Sequence, residues 1–190
     1  MSSDLVATWN LSLPDGKHKV EFEHGTTSGK RVIIVDGKEI HREDWMFKLV
    51  GKEHFSVGKA KCTISIDACS GFAYEYTLSV NGKSLEKFSE NQSKIMNCWC
   101  FTLGSKSSTP FRVVLEKNTL DVWVNGKKME QFEAFSDNTD FGAEINFVLG
   151  DTGRPACIRT RSSGKKRDGM IHELFIEGSD EPIPHAKEFH

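Results

Sequence analysis

The chain has 190 residues, 27% of them charged, and its 25 Lys and Arg against 27 Asp and Glu leave a net charge of −2. A chain of this length can bury one large core or two small ones. The balanced charge argues against nucleic acid as a general partner. No apolar run reaches the roughly 18 residues that cross a bilayer, and residues 1–13 lack the pattern of a signal peptide. We therefore expect a cytoplasmic protein that does not insert into a membrane.

Alternating apolar and polar residues predict β-strands from the start of the chain. The alternation begins in residues 7–13 and is clearest in residues 62–68 and 72–80, where helical spacing does not fit. Residues 45–49 alternate as well and predict a further strand, although the residues just before them could form a helical turn.

Three segments share one order of residues, in which a valine is followed by Asp or Asn, then Gly and Lys. They are residues 33–40, 78–85 and 119–129. An Asn-Gly or Asp-Gly pair can take the two positive φ values of a type I′ turn, so each segment predicts a β-hairpin.

The second half of the chain repeats the pattern of the first after about 90 residues, which indicates an internal duplication. The corresponding features are Trp99 with Trp9, Asn125-Gly126 with Asp36-Gly37, Phe147 with Phe55, and residues 170–178 with residues 74–82.

We therefore predict an all-β fold of two tandem antiparallel β-sandwich units of about 90 residues each. The units are assigned to residues 1–89 and 97–184, joined by a linker at residues 90–96 and followed by a tail at residues 185–190. The polar run at residues 89–94 has no period, which is typical of a linker. Facing sheets bury their inward side chains. The aromatic residues assigned to the cores are Trp9, Trp99, Phe72, Tyr74 and Tyr76.

The residues predict no catalytic or cofactor site. Residues 25–31 (GTTSGKR) resemble a phosphate-binding loop, but only three residues separate the glycines and a strand follows, so we interpret them as a solvated loop. The chain has no Ser nucleophile elbow, no helix-borne HExxH motif and no dinucleotide-binding fingerprint. A pair of catalytic carboxylates among the 27 acids is an alternative that spacing leaves open.

The five cysteines are odd in number and loosely spaced, which favours free thiols in a reducing compartment. Cys98 and Cys100 lie two residues apart and so share one face of a strand, which could suit a metal. A closed zinc site needs two further ligands, and no second Cys or His pair has ligand spacing. Packing as small apolar side chains is the favoured interpretation, and no metal site is predicted.

Two opposed charge blocks follow each other in the second half: residues 130–151 carry six acids and no base, and residues 154–167 carry six bases and no acid. The simpler interpretation is a solvated surface, since exposed pairs contribute only about 0–1 kcal/mol. The alternative is a docking surface for a charged partner or for nucleic acid. The candidate contact residues are Arg159, Arg161, Lys165, Lys166, Arg167 and Trp123.

A different class of function is also open, namely a sandwich that binds carbohydrate or lipid. Tyr74, Tyr76 and Trp123 would then be stacking surfaces. Trp123 lies on the strand face opposite Val122 and Val124, so it is a contact residue if that face is exposed and a core residue if it is covered.

Several blocks of sequence resemble the Fas apoptotic inhibitory molecule family. They are DLVA at residues 4–7, FEHGTTSGKR at 22–31, WMFKLVGKE at 45–53, SGFAYEYTL at 70–78, NGKSL at 81–85, LEK at 115–117 and DVWVNGKK at 121–128. The resemblance implies a non-enzymatic cytosolic protein of two β-sandwich units that restrains Fas-induced apoptosis, supports survival signalling and neurite outgrowth, and protects against stress-induced protein aggregation. The partners it implies are death-receptor or survival-signalling proteins, or misfolded clients, and it carries over no catalytic or metal residue.

Overall fold

The computed structural model describes residues 4–104, 109–135, 142–167 and 169–188. The chain forms two compact units, Met1–Gln92 and Ser93–His190. Four antiparallel sheets of four strands each account for most of the described residues, which confirms the predicted all-β class. Within every sheet the strands lie in chain order or its reverse, so each sheet is a simple meander.

The first unit contains two sheets, β1-β2-β3-β4 and β5-β6-β7-β8. Their strands are β1 (Leu5–Leu13), β2 (Gly16–His24), β3 (Arg31–Val35), β4 (Lys38–Glu43), β5 (Gly51–Val57), β6 (Ala60–Ala68), β7 (Tyr74–Val80) and β8 (Lys83–Ser84). One buried cluster draws on both sheets, because Phe22 and Ile33 from the first meet Ile64 and Leu78 from the second. This shared core is that of a β-sandwich.

The second unit is also built from two sheets, β9 to β12 and β13 to β16. The strands are β9 (Met96–Phe101), β10 (Phe111–Glu116), β11 (Asp121–Val124), β12 (Lys127–Lys128), β13 (Phe132–Phe135), β14 (Ala143–Val148), β15 (Pro155–Ser162) and β16 (Met170–Ile176). Trp99 is fully buried and shares its cluster with Leu115 from its own sheet and with Ile145, Ile158 and Leu174 from the other. The second sandwich is therefore centred on this indole.

The three predicted hairpin turns share one backbone conformation and one side-chain hydrogen bond. The φ values are 52° and 78° at Asp36 and Gly37, and the turns at Asn81 and Asn125 have the same sign pattern. In each turn the Asp or Asn side chain accepts a hydrogen bond from the backbone amide of the strand beyond the hairpin. The distances are 2.8 Å from Lys19 to Asp36, 2.9 Å from Lys61 to Asn81 and 2.8 Å from Arg112 to Asn125. The turn residue thus fastens a third strand to its hairpin, which a glycine could not do.

The boundary between the two units lies within the predicted linker, but this segment has regular structure. Residues 90–95 belong to a helix, α1 (Leu85–Ile95), and Met96 begins β9. Leu85 and Phe88 lie three residues apart on one helix face and pack on the first core. Ser84 accepts a hydrogen bond from the amide of Lys87 at 3.3 Å and so acts as the N-cap. These apolar residues precede the polar run at residues 89–94, and the run taken alone therefore has no helical periodicity.

Residues 185–188 of the predicted tail pack on the second unit. Ala186 donates a backbone hydrogen bond of 2.8 Å to the carbonyl of Cys98, and the His185 ring lies 4.9 Å from the Trp99 ring. The segment that ends at Glu188 therefore covers β9.

Of the remaining aromatic residues assigned to the cores, Phe72 does not belong there. It is fully exposed, with a φ of 63°, in the turn before β7, because the chain reverses there and the strand alternation starts only at Tyr74. Trp9, Tyr74 and Tyr76 are half-buried and pack against the margin of the first core.

We predict that Trp99→Ala lowers the free energy of unfolding of the second unit by about 3 to 5 kcal/mol, because it leaves a large cavity in a close-packed core. Denaturant titration measures this loss. Trp45→Ala is the control, since this exposed indole should contribute within about 0.5 kcal/mol. Equal denaturation midpoints for Trp99→Ala and the parent would contradict the assigned register of β9.

Candidate protein-contact site

The segment between β4 and β5, residues 44–50, presents two large aromatic side chains to solvent, and we call it the aromatic loop. Trp45 is 66% exposed and Phe47 is 90% exposed, and their ring centroids lie 6.3 Å apart. Val50 and Ile40 nearby in the chain are exposed as well. The predicted strand at residues 45–49 is wrong, because these residues form bends and β5 begins only at Gly51.

A buried arginine anchors the backbone of the aromatic loop through hydrogen bonds. Arg31, the first residue of β3, is only 2% exposed. Its Nη1 donates to Oε1 of Glu53 at 2.8 Å, and its Nη2 donates to the carbonyl oxygens of Lys48 at 3.0 Å and Val50 at 2.9 Å. One guanidinium thus ties β3 and β5 to the backbone of the loop.

The glycine-rich stretch that resembles a phosphate-binding loop supports the aromatic loop from its other side. The amide of Met46 donates to the carbonyl of Ser28 at 2.9 Å. Gly29 has a φ of 72°, and a Cβ there would lie 2.2 Å from the carbonyl oxygen of Met46. Only glycine fits this close approach. The second glycine of residues 25–31 is therefore explained by backbone packing.

A buried histidine borders the arginine without adding charge. His24, at the end of β2, lies 2.7 Å through Nδ1 from the hydroxyl of Tyr76, and its ring packs edge-on against Tyr74 at 5.2 Å. Burial, and then the nearby Arg31 charge, lower the pKa of His24 below its ordinary value. The neutral imidazole is therefore favoured beside the Arg31 guanidinium. Glu53 receives Arg31 on Oε1, and the half-buried His41 lies 3.4 Å from its Oε2.

The strand that follows the aromatic loop has an open edge in the described part of the first unit. There β5 pairs with β6 alone. Its counterpart in the second unit, β14, lies between two strands, because β13 pairs with it along Phe132 to Phe135. An unpaired edge offers backbone donors and acceptors to an added strand. The aromatic loop occupies the chain position that β13 fills in the second unit.

The structure pairs two of the predicted basic residues with acidic side chains of neighbouring strands. Arg159 donates to Glu144 at 3.0 Å and lies over the Phe175 ring, and Arg161 donates to Glu173 at 3.1 Å. These two arginines are therefore neutralised by neighbouring strands, which weakens the case for a nucleic-acid surface. Lys165, Lys166 and Arg167 are exposed in the turn after β15, and their role in a partner contact remains a prediction.

Trp123 does not stand on an open face. It is half-buried against Met96, Cys98 and Val114, in a cluster that Ala186 from the end of the chain helps to cover. This side of the sheet is thus closed by residues that no strand pattern would place there, and Trp123 is a packing residue.

That covered side also brings together two thiols and two charged groups. Cys98 Sγ lies 4.0 Å from Cys100 Sγ and 3.3 Å from Oε2 of Glu188. Arg112, on β10, donates from Nε to Oε1 of Glu188 at 2.9 Å and also from Nη2 to the same oxygen. Burial, followed by the charge of Glu188, raises the pKa of the Cys98 thiol. Apolar packing alone does not describe this pair of cysteines.

Sequence reasoning missed the aromatic loop because a strand with a half-buried alternation and an exposed loop can share the same letters. Its anchor was missed because Arg31 and Glu53 are far apart in sequence and nothing local pairs them. Two glycines with positive φ could have signalled the loop. Gly29 lies against the backbone of Met46, and Gly51 directly follows the loop beside Arg31. Glycines at such positions mark close approaches of backbone or ligand.

Comparison with known proteins places these observations in a family. The fold and the anchored loop define a tandem β-sandwich protein with an exposed apolar surface. The chain matches the Fas apoptotic inhibitory molecule family (FAIM1) over residues 5–184. It is 57% identical over 182 residues to Fas apoptotic inhibitory molecule 1 of Bos taurus, covering 95% of this chain and 87% of that protein.

Two further relatives carry the same name. The protein of Homo sapiens is 53% identical and that of Mus musculus 54% identical, each over 95% of this chain and 97% of the relative. The chain therefore belongs to the Fas apoptotic inhibitory molecule family, and the resemblance seen in its motifs is confirmed. Among the described residues, no helix has the length and apolar character needed to span a membrane.

We predict that Arg31→Met lowers the free energy of unfolding of the first unit by about 3 to 5 kcal/mol, because it leaves Glu53 without its buried cation and frees two loop carbonyls. The matched control is Arg42→Met. Arg42 also pairs with two carboxylates, Glu39 and Asp44, but it is exposed, so its loss should leave stability nearly unchanged. Denaturant titration of both variants measures the difference. Similar losses would show that burial of the guanidinium is not what stabilises the loop.

Proposed function

We propose that this chain inhibits Fas-induced apoptosis in the cytoplasm by binding other proteins, and that it does so without catalysis. Its family membership supports this, since the relatives named above are called Fas apoptotic inhibitory molecules. We further propose that the aromatic loop and the adjoining edge of β5 form the contact surface. The observation that carries the proposal is the exposure of Trp45 and Phe47 on a backbone anchored by buried Arg31.

The two exposed aromatic rings have no part in the core. Burying a Phe side chain is worth roughly 1.5 to 3 kcal/mol, and a Trp is larger still, so leaving both in water forgoes a sizeable gain in folding. Exposed apolar patches of this kind mark interaction sites, and Trp is enriched among residues that dominate binding energy. The exposure of these rings therefore supports a role in contacting a partner.

The anchoring of the loop favours binding further. An ordered loop loses little conformational entropy when a partner binds, so more of the contact energy is kept as affinity. The Arg31 hydrogen bonds to Lys48 and Val50 and the Met46 to Ser28 bond supply that order before any partner arrives.

The open edge of β5 suggests how a partner is held. An extended segment of another protein can add to a sheet edge through backbone hydrogen bonds, with side-chain pockets giving specificity. The second unit contains such a strand in its own β13. We propose that an extended partner segment lies along β5 and packs its apolar side chains on Trp45 and Phe47. A damaged, unfolded protein also exposes such segments, so the same surface would account for protection against aggregation.

The test is the double variant Trp45→Ala/Phe47→Ala, assayed for protection of cells against death after Fas stimulation and for suppression of a heat-aggregating client at equimolar ratio. Both activities should fall at least several-fold, while the unfolding transition stays within about 0.5 kcal/mol of the parent. The control is Phe72→Ala, which removes a fully exposed aromatic ring from a turn of the same unit.

Each outcome of this test distinguishes between the roles proposed for the aromatic loop. Full activity of a folded double variant would reject the aromatic loop as the contact surface. Loss of activity in Phe72→Ala to the same extent would show a general effect of surface apolarity. Loss of cell protection with client suppression intact would retain the signalling role and reject client shielding through this loop.

A further inference from the structure

The covered face of β9 contains an arrangement of ligands that the family assignment does not explain. Cys98 and Cys100 point to the same side of the strand, and the Glu188 carboxylate reaches them from the end of the chain. Glu188 lies beyond residues 5–184, which match the family, and its side chain is only 2% exposed. Burying a carboxylate beside two thiols is energetically costly unless a cation compensates its charge.

The three ligand atoms have the spacing of a metal site. The two sulfur atoms are 4.0 Å apart, and Oε2 of Glu188 lies 3.3 Å from Cys98 Sγ and 4.0 Å from Cys100 Sγ. A point equidistant from all three lies about 2.2 Å from each, within the range of Zn–S and Zn–O bonds, about 2.0 to 2.3 Å. No shift of the backbone is needed for one ion to touch all three atoms.

The charges also balance. Two thiolates and one carboxylate carry three negative charges, and the guanidinium of Arg112 carries one positive charge. The net charge of −2 would be neutralised by a divalent cation. Arg112 donates to Oε1 of Glu188 from both Nε and Nη2 and reaches Oε2 with a longer contact of 3.2 Å from Nε. Oε2 is also the oxygen that lies nearest the two sulfur atoms. Hydrogen-bonded partners of this kind orient ligating carboxylates in known metal sites.

We propose that Cys98, Cys100 and Glu188 bind a divalent, thiol-preferring cation of the zinc type. Thiolate and carboxylate ligands together suit such an ion, and binding releases the two thiol protons to solvent. Cys100 is exposed, so the fourth position is open to water and the ion can exchange. The site revises the expectation that the chain has no metal, and it supplies the third ligand that the sequence alone did not place. It lies in the second unit and does not depend on the proposed function.

The experiment titrates the full chain, kept reduced with a phosphine, with Co²⁺ and records the sulfur-to-cobalt charge-transfer absorption, then displaces Co²⁺ with Zn²⁺. The parent should bind one ion per chain. Cys100→Ser, at an exposed position, and Glu188→Gln should each weaken binding by more than about tenfold. Cys98→Ser should do the same and is a second thiol test. The matched controls Cys69→Ser and Cys157→Ser should bind as the parent does.

Each outcome decides the proposal. A parent without the charge-transfer band, or a band that survives in both Cys98→Ser and Cys100→Ser, would overturn it. Unchanged affinity in Glu188→Gln would overturn the three-ligand site and leave a two-thiol site, the arrangement that a monovalent soft ion prefers. Circular dichroism of each variant shows that lost binding is not lost folding.

Discussion

A guanidinium that is cut off from water needs hydrogen-bond acceptors within the protein, and this requirement fixes the position of the aromatic loop. Arg31 is buried at the start of β3, where desolvating its charge costs several kcal/mol. Glu53 and the carbonyls of Lys48 and Val50 offset that cost. Because two of these acceptors belong to the aromatic loop, the loop cannot leave its position without exposing an unsatisfied buried charge.

The two units share hairpins and differ at one sheet edge. In both, an Asp-Gly or Asn-Gly turn fastens a third strand through its side chain. In the second unit β13 covers the edge of β14, whereas in the first unit the aromatic loop stands at that chain position and leaves the edge of β5 open. One duplicated scaffold thus carries a candidate contact surface in one copy and a candidate cation site in the other. The contact surface depends on a loop, and the cation site combines two cysteines of β9 with a glutamate from the end of the chain.

The sequence predicted what depends on local pattern. Strand alternation and the Asp-Gly and Asn-Gly turns gave the all-β class, because backbone geometry links each pattern to a single conformation. The helix was missed because its apolar positions, Leu85 and Phe88, fall before the polar run that looked like a linker. Phe72 was wrongly assigned to the core because the predicted alternation began at residue 72, in the turn, whereas β7 begins at Tyr74.

The candidate sites depend on contacts between distant residues, which no local pattern encodes. Arg31 meets Glu53 across 22 positions, and Glu188 meets Cys98 across 90. Only the packing of sheets and the path of the chain end bring these groups together. The segment at residues 25–31 resembles a phosphate-binding loop by its letters, but Gly29 allows a close approach of the protein's own backbone at Met46.

The central claim is that the aromatic loop is ordered before any partner binds, and backbone NMR relaxation of the partner-free full chain measures this most directly. We predict order parameters of about 0.85 for residues 45–49, as in rigid backbone. Values below about 0.6, with β3 and β5 remaining rigid, would contradict the claim that Arg31 holds the loop in place.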